Sequence, residues 1–289
     1  MDVNGYRIQG EFTTENAGLS RWAFGEKNDR EFFIKEFLTP VFPDPAADLS
    51  PRILERKRKV SLDFYRRKSR FYQALERCRT GNNVIVHEFF LEGTHYYAVT
   101  EKINALGRDP SLVAELEDQK KMTVIRAVLY SVAALHRENL VHADMKPDNI
   151  LLKATGDGFL TAKIIDFDAG FFSGEEPDEV QGDFLYLAPE TFLKMRGEAG
   201  GLTGAIDIFA LGLLFHQYWT GELPHFDGDS QYAFEAVLNG EELRLDGRLP
   251  ESLRGVLRGM LEADPLRRIT AQQALIKLGS GSRLKISRK

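Results

Sequence analysis

The segment His142-Ala143-Asp144-Met145-Lys146-Pro147-Asp148-Asn149, followed by Ile164-Ile165-Asp166-Phe167-Asp168 one short predicted hairpin later, decides how this chain is interpreted. The two segments place the carboxylates of Asp144 and Asp166, the ammonium of Lys146 and the amide of Asn149 on loops that leave short apolar runs. A protein needs such groups to hold a metal-bound nucleotide and to take the proton from a hydroxyl. The pattern therefore predicts phosphoryl transfer centred on Asp144.

Length and composition are those of an ordinary globular protein. The 289 residues suit a large single domain or two lobes, and 43% of them are hydrophobic. A net charge of -5 gives no reason to expect nucleic-acid or membrane binding through bulk charge. Cys78 is the single cysteine, and neither a signal peptide nor a membrane-spanning run is visible. We therefore expect a protein of the reducing cytoplasm.

The N-terminal part is predicted to be a small sheet with one long helix. Alternating apolar residues between 6 and 37 predict three strands, and the stretches 84–90 and 95–100 predict two more. Ser50 as N-cap and Pro51 at the first helical position predict the start of a helix over 52–79. We assign residues 1–101 to this N-terminal lobe with a five-stranded antiparallel sheet.

Lys35 lies inside the apolar strand Phe32-Phe33-Ile34-Lys35-Glu36-Phe37. An unpaired buried ammonium is costly, so one interpretation gives Lys35 a negative partner. The other interpretation makes it an outward-facing lysine at the edge of the sheet. The strand alone does not decide between them.

The predicted helix 52–79 is strongly basic outside its apolar stripe, which is formed by Val60, Phe64, Phe71, Leu75 and Cys78. Charge runs usually form a solvated face, and that is the first interpretation. The alternative is a docking surface for an acidic partner or for nucleic acid, and of these two we expect nucleic acid less.

From about residue 111 onward the apolar periodicity is helical. The helices are predicted at 112–116, 124–135, 205–219, 232–238, 253–261 and 271–278. We assign 102–278 to a larger helical lobe and 279–289 to a flexible basic tail or linker. The predicted class is α+β, with the chemical loops just past the joint between a sheet lobe and a helical lobe.

These features together resemble the eukaryotic-type (Hanks-type) protein kinase family over nearly the whole chain. The matched motifs are H-R-D-x-K-x-x-N at His142 to Asn149, D-F-G at Asp166 and Phe167, A-P-E at Ala188 to Glu190, and D-P-x-x-R-x-T at Asp264 to Thr270. The resemblance implies a bilobal kinase-like fold, and the mixture of loop features suggests a bacterial branch of the family. It also implies that Asp207 braces the catalytic loop and that Arg268 pairs with Glu190.

The resemblance further implies ATP- and Mg²⁺-dependent transfer to serine or threonine hydroxyls of a protein substrate. Asp144 would orient the hydroxyl or accept its proton, and Lys146, the serine/threonine-type signature, would offset charge on the γ-phosphate. Asn149 and Asp166 would hold the magnesium ions. The residues implied for ATP are Lys35 at the α- and β-phosphates, Gly18 in the phosphate loop, Glu101 and Ile103 at the adenine edge after the gatekeeper Thr100, and Leu151 beneath the adenine.

The N-terminal lobe departs from the family pattern at three places. The phosphate loop, 13–18, keeps only its last glycine, Gly18, where the family has G-x-G-x-x-G. Phe33 stands where an alanine roofs the adenine, which implies a tight pocket or a different strand register. The helix glutamate that pairs with the lysine would fall at or near Phe71, and the neighbouring acids Asp63 and Glu76 do not fit the spacing.

The activation segment departs as well. Ala143 replaces the arginine that usually receives an activation-segment phosphate, so we expect activity without that phosphorylation. The acidic stretch 173–179 is interpreted as a solvated loop. Asp168 replaces the D-F-G glycine, and Asp183 stands where serine/threonine kinases carry a threonine.

Two other functions remain open on the sequence. A pseudokinase scaffold with weak or no catalysis would explain the altered phosphate loop and Phe33, although such proteins often lose the residues equivalent to Asp144 or Asp166. A kinase-fold transferase that acts on a non-protein acceptor would use the same metal-nucleotide site. The tail 279–289 also suggests a module of a longer protein.

Overall fold

The structure, a computed structural model, describes residues 1–15, 17–44, 48–155, 160–198 and 200–279. It contains two compact units: unit 1 comprises Met1–Arg79 and Val84–Asn104, and unit 2 comprises Thr80–Asn83 and the described residues from Ala105 onward. The sequence placed the lobe boundary after residue 101, whereas unit 1 extends to Asn104 and omits 80–83. The predicted tail, apart from Gly279, lies outside the described residues.

Unit 1 is built on an antiparallel sheet of six strands in the order β1-β2-β3-β4-β6-β5. The strands are β1 (Asp2–Val3), β2 (Tyr6–Thr13), β3 (Ser20–Lys27), β4 (Arg30–Phe37), β5 (Val86–Glu92) and β6 (His95–Glu101). The predicted number of five was wrong because β1 pairs with β2 through a tight turn at Asn4 and Gly5, whose φ angles are 49° and 79°. Two residues are too few to show strand alternation.

The position of β4 settles the environment of Lys35. β4 lies between β3 and β6 in the sheet, so Lys35 is in a central strand, and it is buried. The interpretation as an exposed edge lysine is therefore wrong. Alternation puts Phe33, Lys35 and Phe37 on one face of the sheet. Ile34 lies on the other face, in a buried cluster with Val3, Tyr6, Ile8, Ala23, Phe32, Tyr97 and Val99.

The long helix α1 (Pro51–Glu76) begins with Pro51 at its first position, as predicted, and ends before the predicted residue 79. Ser50 occupies the N-cap position, but its side chain makes no capping hydrogen bond. In the C-terminal part of α1, Phe64 packs on Phe37 and Tyr96 of the sheet, with ring centroids 5.3 and 5.4 Å apart. The helix is thus fixed to unit 1 through the aromatic part of its apolar stripe.

Unit 2 is mainly helical. Its helices are α2 (Ser111–Ala114), α3 (Asp118–Arg137), α4 (Pro189–Met195), α5 (Ala205–Thr220), α6 (Ala233–Leu238), α7 (Glu251–Met260) and α8 (Ala271–Lys277). Two short strand pairs join them, β7 (Leu140–Val141) with β10 (Phe171–Phe172) and β8 (Ile150–Ala154) with β9 (Leu160–Ile164). The α+β kinase-like class predicted from the sequence is confirmed. α4, which begins within the A-P-E motif at Pro189, was not predicted.

Helix α5 forms the centre of unit 2, because nearly all of its residues are buried. Among the residues that the structure describes, no helix combines the length and the apolar composition that a membrane span requires. Cytoplasmic localisation stays a prediction.

A buried ion pair ties the region after α7 to α4. The guanidinium of Arg268 donates from Nη1 to Oε1 of Glu190 at 2.6 Å and from Nη2 to Oε2 at 3.2 Å, which confirms the pairing implied by the sequence. Arg268 also donates to the backbone oxygens of Glu262 and Ala205, at 3.0 and 2.8 Å. All three nitrogens of the buried guanidinium therefore have partners.

Replacing Arg268 with methionine is expected to lower the free energy of unfolding by about 3–5 kcal/mol, because the Glu190 carboxylate then stays partly buried without its cation. Chemical denaturation followed by circular dichroism measures the change. Arg267→Met is the matched control, since its side chain is 72% exposed, and it should change the stability by less than about 0.5 kcal/mol. Equal effects of the two variants would contradict the assigned role of the pair.

Candidate functional site

The hairpin of β8 and β9 places two of the predicted metal ligands at its open end. Ile150 pairs with Ile164 in the register of the hairpin, and the N–H of Ile165 donates to the carbonyl of Asn149 at 2.9 Å. Asn149 and Asp166 therefore leave neighbouring strand ends on the same side of the hairpin. Residues 156–159, at the other end, lie outside the described chain.

Asp144 is held by two predicted site residues. Its Oδ2 accepts from Nζ of Lys146 at 2.9 Å and from Nδ2 of Asn149 at 2.8 Å. Nδ2 of Asn149 also donates to the backbone oxygen of Asp144 at 2.7 Å. Because Asn149 donates from its amide nitrogen, its amide oxygen is left as the acceptor or metal-binding atom.

Lys146 remains a cation in this setting. Burial alone lowers the pKa of its ammonium, but the hydrogen bond and charge of Asp144, with the charges of Asp183 and Asp148, outweigh burial and raise the pKa above its usual value. The group is therefore charged throughout the physiological pH range. The positive charge of Lys146 thus lies next to the carboxylate of Asp144, which the sequence predicts to orient the acceptor hydroxyl.

His142 holds the loop before Asp144 from inside. Its Nε2–H donates to the carbonyl of Ile165 at 2.9 Å, and its Nδ1 accepts from the N–H of Asp144 at 3.3 Å. Its ring centroid lies 4.9 Å from that of Phe167. The buried imidazole thus connects the Asp144 loop to the segment that carries Asp166.

Asp207 fixes the backbone of the same loop from helix α5. Its buried carboxylate accepts from the N–H of His142 at 2.9 Å and from the N–H of Ala143 at 2.8 Å. These bonds confirm the role that the resemblance implied. Ala143 has φ +67°, a left-handed conformation that alanine adopts only at a cost, so the two bonds retain a strained backbone.

A third donor to Asp207 was not foreseen. The Nε2–H of His136, at the end of α3, donates to Oδ2 of Asp207 at 2.9 Å. The two residues are 71 positions apart, so no spacing rule connects them.

A small cavity of about 20 Å³ adjoins Asp144, and Gly182, Asp183, Tyr186 and Thr191 are among the residues that line it. Oδ1 of Asp183 accepts from the N–H of Leu185 at 3.0 Å, so this carboxylate caps the turn before Tyr186. Burial raises the pKa of the Tyr186 hydroxyl, and the charge of Asp183 raises it further. Asp183, unassigned on the sequence, is thus a turn cap that also adds negative charge near Lys146.

Within the acidic stretch after β10, Glu176 is anchored rather than solvated. The side chain of Glu176 is only 7% exposed, and its Oε1 accepts from Nζ of Lys194 at 3.1 Å and from the N–H of Gly201 at 2.8 Å. Burial alone raises the pKa of Glu176, but the backbone N–H groups and Lys194 outweigh it and lower the pKa below its usual value. The interpretation of 173–179 as a solvated loop was therefore wrong at Glu176.

In unit 1, Lys35 and Phe33 share a face with a group of aromatic rings. Lys35 lies opposite Trp22, and Phe33 lies opposite Phe24 and Thr100. The rings of Trp22 and Phe33 stack at 5.3 Å with an interplanar angle of 27°. Large aromatic side chains thus surround Phe33, at the position where the family pattern has alanine.

The loop between β2 and β3 forms several hydrogen bonds with itself. The N–H of Glu15 donates to Oγ1 of Thr13 at 3.1 Å, and the N–H of Ala17 donates to the carbonyl of Thr14 at 3.2 Å. Gly18 has φ +54°, which suits glycine. Two backbone donors that a phosphate loop would direct at its ligand are therefore already occupied.

The other predicted ATP residues lie in different units. Glu101 ends β6 opposite Phe32, and Ile103 follows it within unit 1. Leu151 lies in β8 of unit 2, opposite Lys163. The neighbouring acids considered for Lys35 have other partners: Asp63 pairs with Arg66 at 3.3 Å and Glu76 with Arg79 at 2.6 Å.

The residues present fit magnesium better than a transition metal. The described residues contain no group of three or more His, Cys, Asp or Glu that could hold a metal ion. Magnesium needs no such cage, because one or two oxygen ligands from the protein suffice when phosphate oxygens complete its shell. The amide oxygen of Asn149 and the carboxylate of Asp166 would supply that donor set.

Comparison with known proteins gives a consistent result. The sequence model described as the protein kinase domain matches residues 55–277. The match begins after Gly18 and Lys35, so the altered phosphate loop and the Phe33 strand lie outside it.

Several curated proteins are similar to the chain. CBL-interacting protein kinase 21 of Oryza sativa subsp. japonica is 26% identical over 78% of this chain and 43% of its own length. Calcium-dependent protein kinase 19 of Arabidopsis thaliana is 31% identical over 53% of this chain and 27% of its own length. Probable serine/threonine-protein kinase fhkA of Dictyostelium discoideum is 28% identical over 61% and 34%. The chain thus spans less than half the length of these relatives.

Asp207→Asn is expected to loosen the loop around Ala143. The substitution replaces one accepting carboxylate oxygen by an NH2 group, which then faces an N–H group, and two donors form no hydrogen bond. The backbone amides of His142 and Ala143 should exchange hydrogen faster, and the free energy of unfolding should fall by about 1–3 kcal/mol. Hydrogen exchange with mass spectrometry measures the first effect and chemical denaturation the second. Asp229→Asn, at an exposed position, is the control. Unchanged exchange at 142–143 would contradict the brace.

Proposed function

The chain belongs to the protein kinase family, and on this premise we propose that it is an ATP- and Mg²⁺-dependent kinase that transfers the γ-phosphoryl group to serine or threonine hydroxyls of a protein substrate. One observation carries the proposal: the Asp144 carboxylate is bonded to both Lys146 and Asn149 on a loop whose backbone Asp207 holds. Phosphoryl transfer asks the protein mainly for such positioning and charge placement.

The proposed chemistry assigns a separate task to each residue of the loop. Asp144 orients the acceptor hydroxyl and takes its proton, because Lys146 and Asn149 hold its carboxylate at the cavity that Asp183 and Tyr186 also line. Lys146, which stays protonated, offsets the negative charge of the transferring group. His142 and Asp207 keep both in place and do not touch the substrate.

Asn149 and Asp166 are proposed to hold magnesium through their side-chain oxygens. When bound, magnesium neutralises charge on the phosphate oxygens and orients them. Lys35 is proposed to bind the α- and β-phosphates, since it is a buried cation in a central strand. The family resemblance alone supports the proposed ATP contacts of Gly18, Glu101, Ile103 and Leu151.

We propose that phosphorylation of the activation segment is not needed. Ala143 offers no guanidinium to a phosphate, and Glu176 already binds Lys194 and the backbone of Gly201. The buried carboxylate of Glu176 thus supplies, in place of a phosphate, the negative charge that anchors the activation segment. This argument concerns the segment in unit 2 and is independent of the nucleotide contacts.

A protein substrate with a serine or threonine acceptor is the proposed partner, since Lys146 carries the serine/threonine-type signature. The basic helix α1 is proposed to contact an acidic partner as well. Because the chain covers less than half the length of the three relatives named above, substrates and partners of the whole protein are proposals too.

A pseudokinase scaffold is the second candidate, and observations in unit 1 favour it. The phosphate loop uses two of its own backbone donors internally, and Phe33 stacks on Trp22 at the roof position. Both features lie outside the matched range 55–277. A transferase that acts on a non-protein acceptor would use the same loop as the leading candidate.

Asp144→Asn is expected to abolish phosphoryl transfer while the protein stays folded, because the amide keeps the size of the carboxylate but cannot accept a proton. The wild type, incubated with magnesium and ATP, should gain phosphate-sized mass increments or phosphorylate a serine-containing peptide array. The variant should react at least about 100-fold more slowly. Asp229→Asn is the control with the same change of charge at an exposed position.

The result separates the candidates. Transfer by the wild type but not by Asp144→Asn supports the kinase. No transfer to itself, to peptides or to small hydroxyl compounds would favour the scaffold, and transfer to small compounds alone would favour the non-protein acceptor.

Ser173→Ala is expected to retain the wild-type rate, whereas Glu176→Ala should lower it by about tenfold through loss of the anchor on Lys194. Initial rates of peptide phosphorylation test both variants, and circular dichroism checks that they fold. Glu179→Ala, an exposed acid of the same stretch, is the control. A large loss in Ser173→Ala would overturn the proposed independence of phosphorylation.

A further inference from the structure

The N-terminal part of α1 has a surface that the described residues of unit 1 leave uncovered. The buried residues of the helix all lie from Ser61 onward: Ser61, Phe71, Tyr72, Ala74 and Leu75. Between 51 and 60 every residue is exposed except Leu54, which is half-buried. Ten of the 26 residues of α1 are thus helical with little packing against unit 1.

The apolar stripe of α1 nevertheless continues into this uncovered part. Ile53, Val60, Phe64 and Phe71 follow one another at intervals of seven, four and seven residues, which keep side chains on one helix face. Phe64 and Phe71 pack in unit 1, but Val60 is 54% and Ile53 41% exposed. The face that meets the core therefore extends about two turns beyond it.

A groove runs along the extended stripe. It has a volume of about 580 Å³ and is lined by Thr39, Pro40 and Val41 on one wall and by Arg56, Lys57 and Val60 on the other. Val41 is 44% exposed, so both walls present an apolar side chain. We call this surface the α1 groove.

The charge of the α1 groove is strongly positive. Residues 51–70 contain nine Lys or Arg and two acids, although the whole chain carries -5. The cations that make no ion pair with any described residue include Arg52, Arg56, Lys57, Arg58 and Lys59. The first turn of α1 contains no acid, so the partial positive charge of the helix N-terminus adds to them.

We propose that the α1 groove docks an acidic peptide segment of a partner protein, whose carboxylates meet Arg56 and Lys57 and whose apolar side chains cover Val41 and Val60. Charge complementarity selects an acidic segment, and the apolar walls require one that also carries aliphatic or aromatic residues. A helical segment of about ten residues matches the roughly 15 Å of uncovered helix.

The shape and composition of the groove favour a protein over the other polyanions. Nucleic acid is bound mainly through its phosphates and would leave Val60, Ile53 and Val41 exposed. A membrane surface is flat, whereas Val60 faces a concave groove walled by Thr39 to Val41. Residues 51–60 also include no tryptophan or phenylalanine of the kind that interfacial helices use.

The test selects binders from a random peptide library displayed on phage, with the full chain as bait. Enriched sequences are made as fluorescein-labelled peptides, and their Kd is measured by fluorescence polarisation at physiological salt. Counterparts with serine at each apolar position, duplex DNA and vesicles of phosphatidylcholine with phosphatidylserine are the comparison probes.

Two matched double variants locate the binding. Lys57→Glu/Val60→Asp changes the groove, and Arg58→Glu/Leu62→Asp makes the same charge change on the opposite side of the helix, where Leu62 is 41% exposed. We expect acidic, apolar peptides to be enriched. Their Kd should rise at least about tenfold in the groove variant and less than about threefold in the control.

Four results would overturn the proposal: no enriched peptide, equal loss of binding in both variants, equal binding of the serine counterparts, or tighter binding of DNA or vesicles than of the peptides. All substituted positions are exposed, and thermal unfolding checks that both variants fold like the wild type. The assay measures binding alone, so its failure leaves the proposed phosphoryl transfer standing.

Discussion

The carboxylate of Asp207 is the interaction on which the arrangement of unit 2 around Asp144 depends. It is buried on a buried helix, and it accepts from two successive backbone N–H groups and from His136. A buried charge is tolerated only when donors surround it, so the loop and the helix stabilise each other. Through His142 the same network reaches Ile165 and therefore the strand end that precedes Asp166. Gly204 belongs to this arrangement, because a Cβ there would lie 2.8 Å from Nε2 of His136.

The residues of this site that are close together in sequence could be predicted from local motifs. Asp144, Lys146 and Asn149 lie within six positions of one another, so their spacing alone predicted that they act together, and the contacts at 2.9 and 2.8 Å agree with it. The pairing of Arg268 with Glu190 was predictable only from the family pattern, since 78 positions separate them. His136 and Glu176 were missed because their partners are distant in sequence and no motif connects them. The sequence could not show whether Lys35 is buried, because the strand order that makes β4 central differs from the order of the strands along the chain.

The two units differ in how closely their sequences match the family pattern. The substitutions in the two units also have different structural effects. In unit 2, Ala143 keeps its backbone bond to Asp207 although the arginine side chain is absent, and Glu176 supplies a fixed negative charge in the acidic stretch. In unit 1 the substitutions fill space and use up donors, through the stacked rings of Trp22 and Phe33 and the hydrogen bonds within 13–17. Under the proposed function, such changes would act on nucleotide affinity and leave the Asp144 loop intact. The kinase and scaffold interpretations thus differ on the nucleotide site more than on Asp144.

The exposed N-terminal part of α1 needs a physical explanation, because an unpacked helix of ten residues is marginal in water. Its residues are mostly good helix formers, and Glu55 precedes Lys59 at a favourable interval of four. Against this, Arg52 and Arg56 repel each other at the same interval, and cations near the N-terminus oppose the helix dipole. The packed half from Ser61 onward supplies the nucleus, so the exposed turns only have to propagate from it. An anion beside Arg56 and Lys57 would offset both the repulsion between Arg52 and Arg56 and the unfavourable interaction of the cations with the helix dipole. Apolar contact with Val60 would extend the core of unit 1 along the apolar stripe of α1.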